Sequence, residues 1–197
     1  MKTFIMRNLK ARTTPDFNLN NLAEAGRLDI VVSSIANALF VSNNIRKDTE
    51  IHICLDGPDD PPKIVSFFGS ELNLSESTEK SIAEALKSAL QKGRGLKLNE
   101  EVKVQAGIIV SKKSFEALVK EKAKTSQLIY LHQEGKDIRE AEVKENVTFV
   151  FGDYIGLPKK TELLLDKLGA ERISIGPEML FASHCVVIVN NELDRRE

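Results

Sequence analysis

Long apolar segments are absent from this sequence, and so are tryptophan and any closely spaced pair of cysteines. The apolar runs near 147–151 and 185–189 are far shorter than the ~20 residues that a membrane-spanning helix needs. The apolar start at Phe4-Ile5-Met6 is too short for the core of a signal peptide, so we expect a cytoplasmic protein. Cys54 and Cys185 lie far apart without a CxxC motif, which argues against a disulfide framework or a zinc ribbon.

An excess of either charge is also missing. The chain has 28 lysines and arginines against 29 aspartates and glutamates, for a net charge of -1. This balance excludes a protein that coats nucleic acid through its overall positive charge, so any RNA site has to be a local patch.

Common cofactor motifs are missing as well. Neither GxGxxG nor GxxxxGK[ST] occurs, so the sequence does not predict a loop that cradles the phosphates of NAD, FAD or ATP. The pairs His52-x-Cys54 and His184-Cys185 contain metal-ligating residue types, but nothing in the sequence makes the two pairs neighbours. We therefore predict no metal site.

Strand-like and helix-like segments alternate along the chain without repeats or linkers, which predicts a single α/β domain over residues 1–197. Strands are predicted at 3–7, 50–55, 63–68, 106–110, 127–131, 147–151 and 172–175. The second and third of these strands flank the turn 57–62 and predict a hairpin.

Helices are predicted where apolar residues recur every three or four positions. They cover 28–40, 76–92, 115–119 and 163–168, with Ser75 as the N-cap of the second. The segment 181–193 is ambiguous, because its β-branched residues favour a strand whereas the spacing of Phe181, Cys185 and Val189 favours a helix. We predict a helix there.

Three segments share one form, a strand end that runs into a polar or glycine-bearing loop. They are 130–135, 151–156 and 174–180. Because parallel strands place their carboxyl ends at one edge of the sheet, where ligands bind, we expect these loops to converge on one pocket. Glycines there let backbone groups approach a flat ligand closely; the alternative is that they only form turns.

Other polar residues have ordinary structural explanations. Asp59 and Asp60 lie in a turn, where aspartate side chains accept hydrogen bonds from nearby backbone N–H groups. Asp29 stands near the start of the clearest helix, where a negative charge is favourable, and Arg27 is explained by exposure to solvent.

Five short motifs follow one another along the chain. They are Gly26-Arg27-Leu28-Asp29, Gly69-Ser70-Glu71-Leu72, Tyr130-Leu131-His132, Gly152-Asp153-Tyr154-Ile155-Gly156, and Arg172-Ile173-Ser174-Ile175-Gly176-Pro177 followed by Ser183-His184-Cys185. In this order they resemble the TrmY family, SPOUT-class tRNA pseudouridine N1-methyltransferases. The resemblance extends over essentially the whole chain.

This resemblance implies an α/β fold with a mostly parallel sheet flanked by helices and a deep trefoil knot within about 127–197. It implies that S-adenosylmethionine binds at the knot and that a homodimer forms through the knot helices. The apolar stripe in 181–189 supports the dimer, since it is rich for an exposed tail. Carried over by position, the cofactor-binding residues are Leu131, Gly152, Ile175, Gly176, Pro177, Glu178, Met179, Leu180 and Cys185.

The implied reaction is methyl transfer to N1 of pseudouridine in RNA, at position 54 of tRNA. N1 carries a proton that must leave as the methyl arrives, which gives a carboxylate a role as a base or as the acceptor that orients N1. We predict this role for Asp60 ahead of Asp59, with Asp29 as the next candidate. The neighbouring charges are expected to raise the pKa of Asp59 or Asp60. Arg27 is expected to contact RNA phosphate, held in place by Asp29.

Two alternatives stay open at this point. The chain is a methyltransferase for pseudouridine at another tRNA position or in ribosomal RNA, or it is a non-catalytic RNA-binding protein that keeps the fold and has lost methyl transfer.

Overall fold

The computed structural model describes residues 1–42, 44–74 and 78–196, and an eight-stranded sheet runs through its middle. The strands are β1 (Lys2–Asn8), β2 (Phe40–Val41), β3 (Asn44–Ile45), β4 (Thr49–Leu55), β5 (Lys63–Phe68), β6 (Glu101–Gln105), β7 (Ile108–Ser111), β8 (Gln127–Asp137), β9 (Val147–Gly152) and β10 (Glu171–Ser174). The helices are α1 (Leu28–Leu39), α2 (Glu79–Lys92), α3 (Phe115–Lys122), α4 (Lys159–Lys167) and α5 (Ala182–Asp194). The short strands β2 and β3 pair only with each other.

The strand order across the large sheet is β10-β8-β9-β1-β4-β5-β7-β6. The first five strands are parallel, and β5, β7 and β6 continue the sheet with antiparallel pairing. The predicted α/β class and the hairpin of β4 and β5 are confirmed. Because the five parallel strands end at one edge, the loops that follow them share that edge.

Helices cover both faces of the sheet. Side chains alternate along β1, so Phe4 and Met6 pack in the core formed with α1, α2 and α5, whereas Ile5 packs in the core formed with α3 and α4. The central strands β1, β4 and β9 are buried along nearly their whole length. Burial on both faces is typical of parallel strands between two helical layers.

The segment whose structure was ambiguous is the helix α5, as predicted. It packs against α1, and the Asn37 amide donates to the Ser183 carbonyl at 3.1 Å while the Asn190 amide donates to the Asn37 carbonyl at 3.0 Å. Val186 and Val189 are fully buried within the chain itself. The apolar stripe of 181–189 is therefore largely an internal surface, so it supports a dimer less than we expected from the sequence.

Several elements differ from the predictions. The strand predicted at 106–110 begins at Ile108, because Gly107 has a φ of 74° and forms the turn from β6. Strand β6 was not predicted; it is a mostly exposed edge strand with only Val104 buried. The predicted cap Ser75 lies outside the described residues and the prediction is wrong, because α2 begins at Glu79 and its N-cap is Thr78, whose hydroxyl oxygen accepts the Ser81 N–H at 3.2 Å.

Strand β8 is longer than predicted and leaves the sheet between two paired stretches. Strand β10 pairs with Ile129 and Tyr130 and then, after a register shift, with Lys136 and Asp137. Residues 131–135 therefore form an excursion beside β10, which we call the β8 excursion. A Cβ on Gly135 would lie 2.6 Å from the backbone of Ile173, so the return of the chain to β10 requires glycine.

In the described part of the chain, none of the helices combines the length and the apolar character needed to cross a membrane.

Candidate functional site

The backbone of residues 9–13, which we call the hub segment, joins several loops at the carboxyl edge of the sheet. The hydrogen bonds run from Leu9 N to Asp153 Oδ2 (2.9 Å), from Gly57 N to Ala11 O (3.1 Å), from Arg12 N to Ala25 O (3.1 Å) and from Thr13 N to Pro58 O (2.8 Å). The loops after β4 and β9 and the segment before α1 are thus fixed to one strip of backbone at the start of the loop after β1.

Two glycines make this close docking possible. A Cβ on Gly26 would lie 2.0 Å from the Lys10 carbonyl oxygen, and a Cβ on Gly57 would lie 2.3 Å from that of Ala11. Gly26 also has a φ of 76°, a conformation that side chains rarely adopt. The motif that begins at Gly26 and the acidic turn 57–62 therefore both pack against the hub segment.

A cavity of about 690 Å³ opens at the same edge. It is lined by the β8 excursion, the loop after β9 and the loop after β10, so the predicted convergence of three loops is confirmed. The predicted residues that line it are Leu131, Gly152, Ile175, Gly176, Glu178, Met179, Leu180 and Cys185. Pro177 is not part of the lining; its carbonyl accepts a hydrogen bond from the Gln133 amide at 3.3 Å.

Gly152 approaches the chain's own backbone closely, whereas we expected it to allow a close approach of the ligand. A Cβ there would lie 2.4 Å from the carbonyl carbon of Gly156, so the position faces the chain's own backbone. Asp153 holds the same turn: its two carboxylate oxygens accept the N–H groups of Leu9 and Ile155, at 2.9 and 2.8 Å. Asp153 lines the cavity and was missed as a site residue, although an aspartate two residues before a turn N–H is a recognisable turn signal.

Acidic groups outnumber basic ones along the cavity wall. Glu134, Asp153, Glu162 and Glu178 line it, against one lysine, Lys159. Such a wall favours a ligand that carries positive charge next to apolar surface. Burial raises the pKa of the Cys185 thiol to about 11, so this cavity residue is a neutral thiol at neutral pH.

The acidic turn is held by lysines and contributes no residue to the cavity lining among the described residues. Asp60 is paired with Lys112 and, at 3.0 Å, with Lys63, whose side chain is only 1% exposed. Hydrogen bonds from Lys112 and Lys63 lower the pKa of Asp60 despite its partial desolvation. The expectation that the adjacent aspartate would raise this pKa is therefore wrong for Asp60, because the two lysines dominate. Asp59 is more exposed and pairs with Arg12 at 3.4 Å.

Arg27 and Asp29 are brought together at the start of α1. Arg27 donates from Nε and Nη2 to the two carboxylate oxygens of Asp29, at 3.0 and 2.9 Å. The hydrogen bond from Arg27 lowers the pKa of Asp29, so this carboxylate stays ionised and is a poor base.

The two His and Cys pairs lie on different elements, one on β4 and the other on α5. His52 is buried and contacts Ser66 and Glu50, through Nδ1 at 2.7 Å and Nε2 at 3.3 Å. Within 1–42, 44–74 and 78–196, no group of three His, Cys, Asp or Glu side chains is placed to hold a metal ion.

Comparisons with known proteins agree on one family. The model of the family described as “Putative SAM-dependent RNA methyltransferase” matches residues 1–197. The chain is 37% identical to the tRNA (pseudouridine(54)-N(1))-methyltransferase of Methanococcoides burtonii, over 99% of this chain and 96% of that protein. It is also 37% identical to the “Putative pseudouridine methyltransferase” of Photobacterium profundum, over 98% of each chain.

A solved structure shares the fold. Nep1 of Archaeoglobus fulgidus, determined with S-adenosylhomocysteine bound, is similar with a TM-score of 0.63 over 98% of this chain and 97% of that one. The sequence identity is 12%, so this similarity describes architecture alone.

The geometry at Gly152 predicts that a single methyl group disturbs the cavity. In Gly152→Ala the new Cβ forces the Gly156 backbone away and costs about 1–3 kcal/mol of unfolding free energy. Titration calorimetry with S-adenosylmethionine should show affinity reduced at least about ten-fold, as expected if the turn forms part of its site. In the control Gly95→Ala the φ of 76° strains the backbone, but the Cβ meets nothing within 4 Å and the residue is not in the cavity lining, so a loss of stability is expected with unchanged affinity. Unchanged affinity in Gly152→Ala would contradict the prediction.

Proposed function

Because the chain belongs to this family of S-adenosylmethionine-dependent RNA methyltransferases, we propose that it methylates N1 of pseudouridine at position 54 of tRNA. The observation that carries the proposal is the 37% sequence identity, over 99% of this chain, to an enzyme named for that reaction. The cavity formed by the three loops that the sequence predicted adds to it. The name of the bacterial relative gives no position, so another tRNA position or ribosomal RNA is the competing target.

The cavity residues suit the cofactor. A volume of about 690 Å³ is in the range of small-molecule sites, and the lining combines apolar side chains, glycine backbone and acidic groups. In this proposal Leu131, Gly152, the stretch 175–180 and Cys185 hold S-adenosylmethionine, and Pro177 acts by shaping its loop through Gln133. When bound, the cofactor supplies a methyl carbon activated by a positively charged sulfur.

The chain's own contribution is to position the base and the cofactor and to accept a proton. As the bond from N1 to the methyl carbon forms and the bond from carbon to sulfur breaks, the N1 proton has to pass to an acceptor. We assign that acceptor to Asp60, whose carboxylate is held ionised by Lys63 and Lys112. It accepts the N1–H hydrogen bond and orients the base. Because the new bond to the methyl group makes the N1 proton strongly acidic, even this weakly basic carboxylate can take the proton and pass it to solvent.

A homodimer is part of the proposal. The acidic turn does not line the cavity of its own chain, so a second copy offers a way to bring a turn and a cavity together. Val187 on α5 is 46% exposed and Met179 is 77% exposed, which leaves apolar surface for a partner copy. Light scattering at micromolar concentration should give twice the 21.9 kDa chain mass, and a monomer mass would contradict the dimer. The trefoil knot also stays a proposal, which rests on the match to this family.

The direct test uses purified protein, S-adenosylmethionine and three RNAs: a tRNA T-arm with pseudouridine at position 54, the same arm with uridine, and an RNA with pseudouridine elsewhere. Mass spectrometry of the nucleosides should find N1-methylpseudouridine only in the first. Product only in the third RNA would support the competing target. Cofactor binding without product in any RNA would favour the non-catalytic alternative.

Removing the charge of Asp60 should lower kcat. Asp60→Asn keeps the shape but loses the anionic acceptor, so kcat should fall about 100-fold or more while S-adenosylmethionine affinity stays near the parental value. Because its pKa is already lowered, Asp60 stays ionised from pH 7 down to pH 5, and its protonation should cause no loss of kcat in that range.

Asp59→Asn is the matched control, since Asp59 is 65% exposed in its side chain and pairs with Arg12. It should change kcat far less than Asp60→Asn. If both variants and the double variant keep the parental rate, the acidic turn has no role in the reaction and Asp29 becomes the next candidate.

A further inference from the structure

Three side chains from different elements meet beside the cavity: Arg27 at the start of α1, Tyr154 after β9 and Phe181 before α5. We call them the aromatic rim. The guanidinium carbon of Arg27 lies 5.7 Å from the ring centre of Tyr154 and 5.7 Å from that of Phe181, within the range of cation–π attraction. Tyr154 and Phe181 are each 50% exposed as residues, a large fraction for aromatic residues already in contact with a cation.

The rim borders the cavity without lining it. Tyr154 lies between the lining residues Asp153 and Ile155, and Phe181 lies between Leu180 and Ala182. Neither ring belongs to the lining. A flat group placed on these rings is therefore next to a ligand in the cavity and is a different group from it.

Arg27 mainly contacts the two rings and is not a free cation for a phosphate group. Its Nε and Nη2 groups donate to Asp29, and this pairing raises the pKa of Arg27. Its φ of 66° places the residue in the left-handed region, where the surrounding contacts must hold it. The predicted role of Arg27 as a phosphate contact is thus the weaker one, since two of its donor groups are already used.

The rings are positioned before any ligand arrives. Asp153 fixes the turn that carries Tyr154 through its hydrogen bonds to Leu9 and Ile155. Phe181 is the N-cap residue of α5, and its ring makes an edge contact with His184 at 5.7 Å between centres. Held rings lose little conformational freedom when a flat group stacks on them.

We propose that the aromatic rim stacks an unpaired nucleobase of the RNA, namely the one adjoining the nucleotide that receives the methyl group. The inference rests on the proposed function, since it takes RNA as the substrate. Aromatic and guanidinium faces are the surfaces on which proteins stack splayed-out RNA bases. Every base has such a face, so the rim selects an unstacked loop and not a particular neighbouring sequence.

The test measures binding of a fluorescent stem-loop RNA by anisotropy in the presence of S-adenosylhomocysteine. The RNA carries the target pseudouridine and either normal neighbours or an abasic site on its 5′ or 3′ side. The protein is wild type, the double variant Tyr154→Leu with Phe181→Leu, or the conservative pair Tyr154→Phe with Phe181→Tyr. Leu98→Ala is the control for loss of exposed apolar surface, because Leu98 is 63% exposed and outside the rim.

We expect the double leucine variant to bind intact RNA about ten-fold more weakly, with unchanged affinity for S-adenosylhomocysteine. An abasic site on one side should cost the wild type a similar factor and cost the leucine variant almost nothing more. The conservative pair and Leu98→Ala should behave as wild type.

Other results overturn the inference. If the abasic site and the leucine substitutions each weaken RNA binding and their effects add in the combination, the rings do not contact that base. Wild-type affinity of the leucine variant for intact RNA would show the same. A lower mass of the leucine variant in light scattering would make the rim a contact between copies. No binding of any RNA by wild type would also overturn it. Because binding is the readout, a wild type that binds RNA without methylating it removes the proposed function and leaves the rim assignment standing.

Discussion

The docking of loops onto the hub segment is the constraint on which the site depends. Residues 9–13 offer mainly backbone N–H and carbonyl groups, and the surrounding loops reach them through glycines and the Asp153 carboxylate. The segment follows β1 directly, and the Asn8 side-chain oxygen accepts the N–H groups of Lys10 and Ala11, at 3.2 and 2.7 Å, which fixes the backbone to which the loops bind. Their common attachment to the hub segment determines how the acidic turn, the start of α1 and one wall of the cavity are placed relative to one another.

Charge is distributed in a manner that fits two different tasks. At the acidic turn and at the start of α1, each carboxylate is matched by a cation, so Asp60 and Asp29 are fixed, ionised and weakly basic. Along the cavity, carboxylates outnumber lysine. The first arrangement suits orientation of a polar partner, and the second suits a cationic ligand. The net charge of -1 for the whole chain indicates neither arrangement.

Much of the fold could be predicted because apolar periodicity determines which segments bury themselves. The central strands, the helix stripes and the convergence of three loops all follow from local pattern and parallel topology. Edge strand β6 was missed although its residues Glu101–Gln105 alternate between polar side chains and valine, a pattern that is typical of a strand with one exposed face. The pKa of Asp60 depends on Lys112, 52 residues away, and the crowding at Gly152 depends on how its own loop folds back. Such effects come from tertiary contacts that local pattern does not contain.

The β8 excursion has a consequence for how a ligand enters and leaves. Its residues form one wall of the cavity, and both of its ends are held in strand pairing with β10. Moving this wall outward would break main-chain hydrogen bonds on one side or the other, which makes it the stationary side of the cavity. Passage of a ligand therefore falls to the side formed by the loop after β10, which carries exposed Met179 and has no strand pairing beyond Ser174 in the described structure. A small ligand would then enter and leave the cavity through the same opening at which a macromolecular substrate binds. A large substrate bound at that opening would block exchange of the small ligand with solvent.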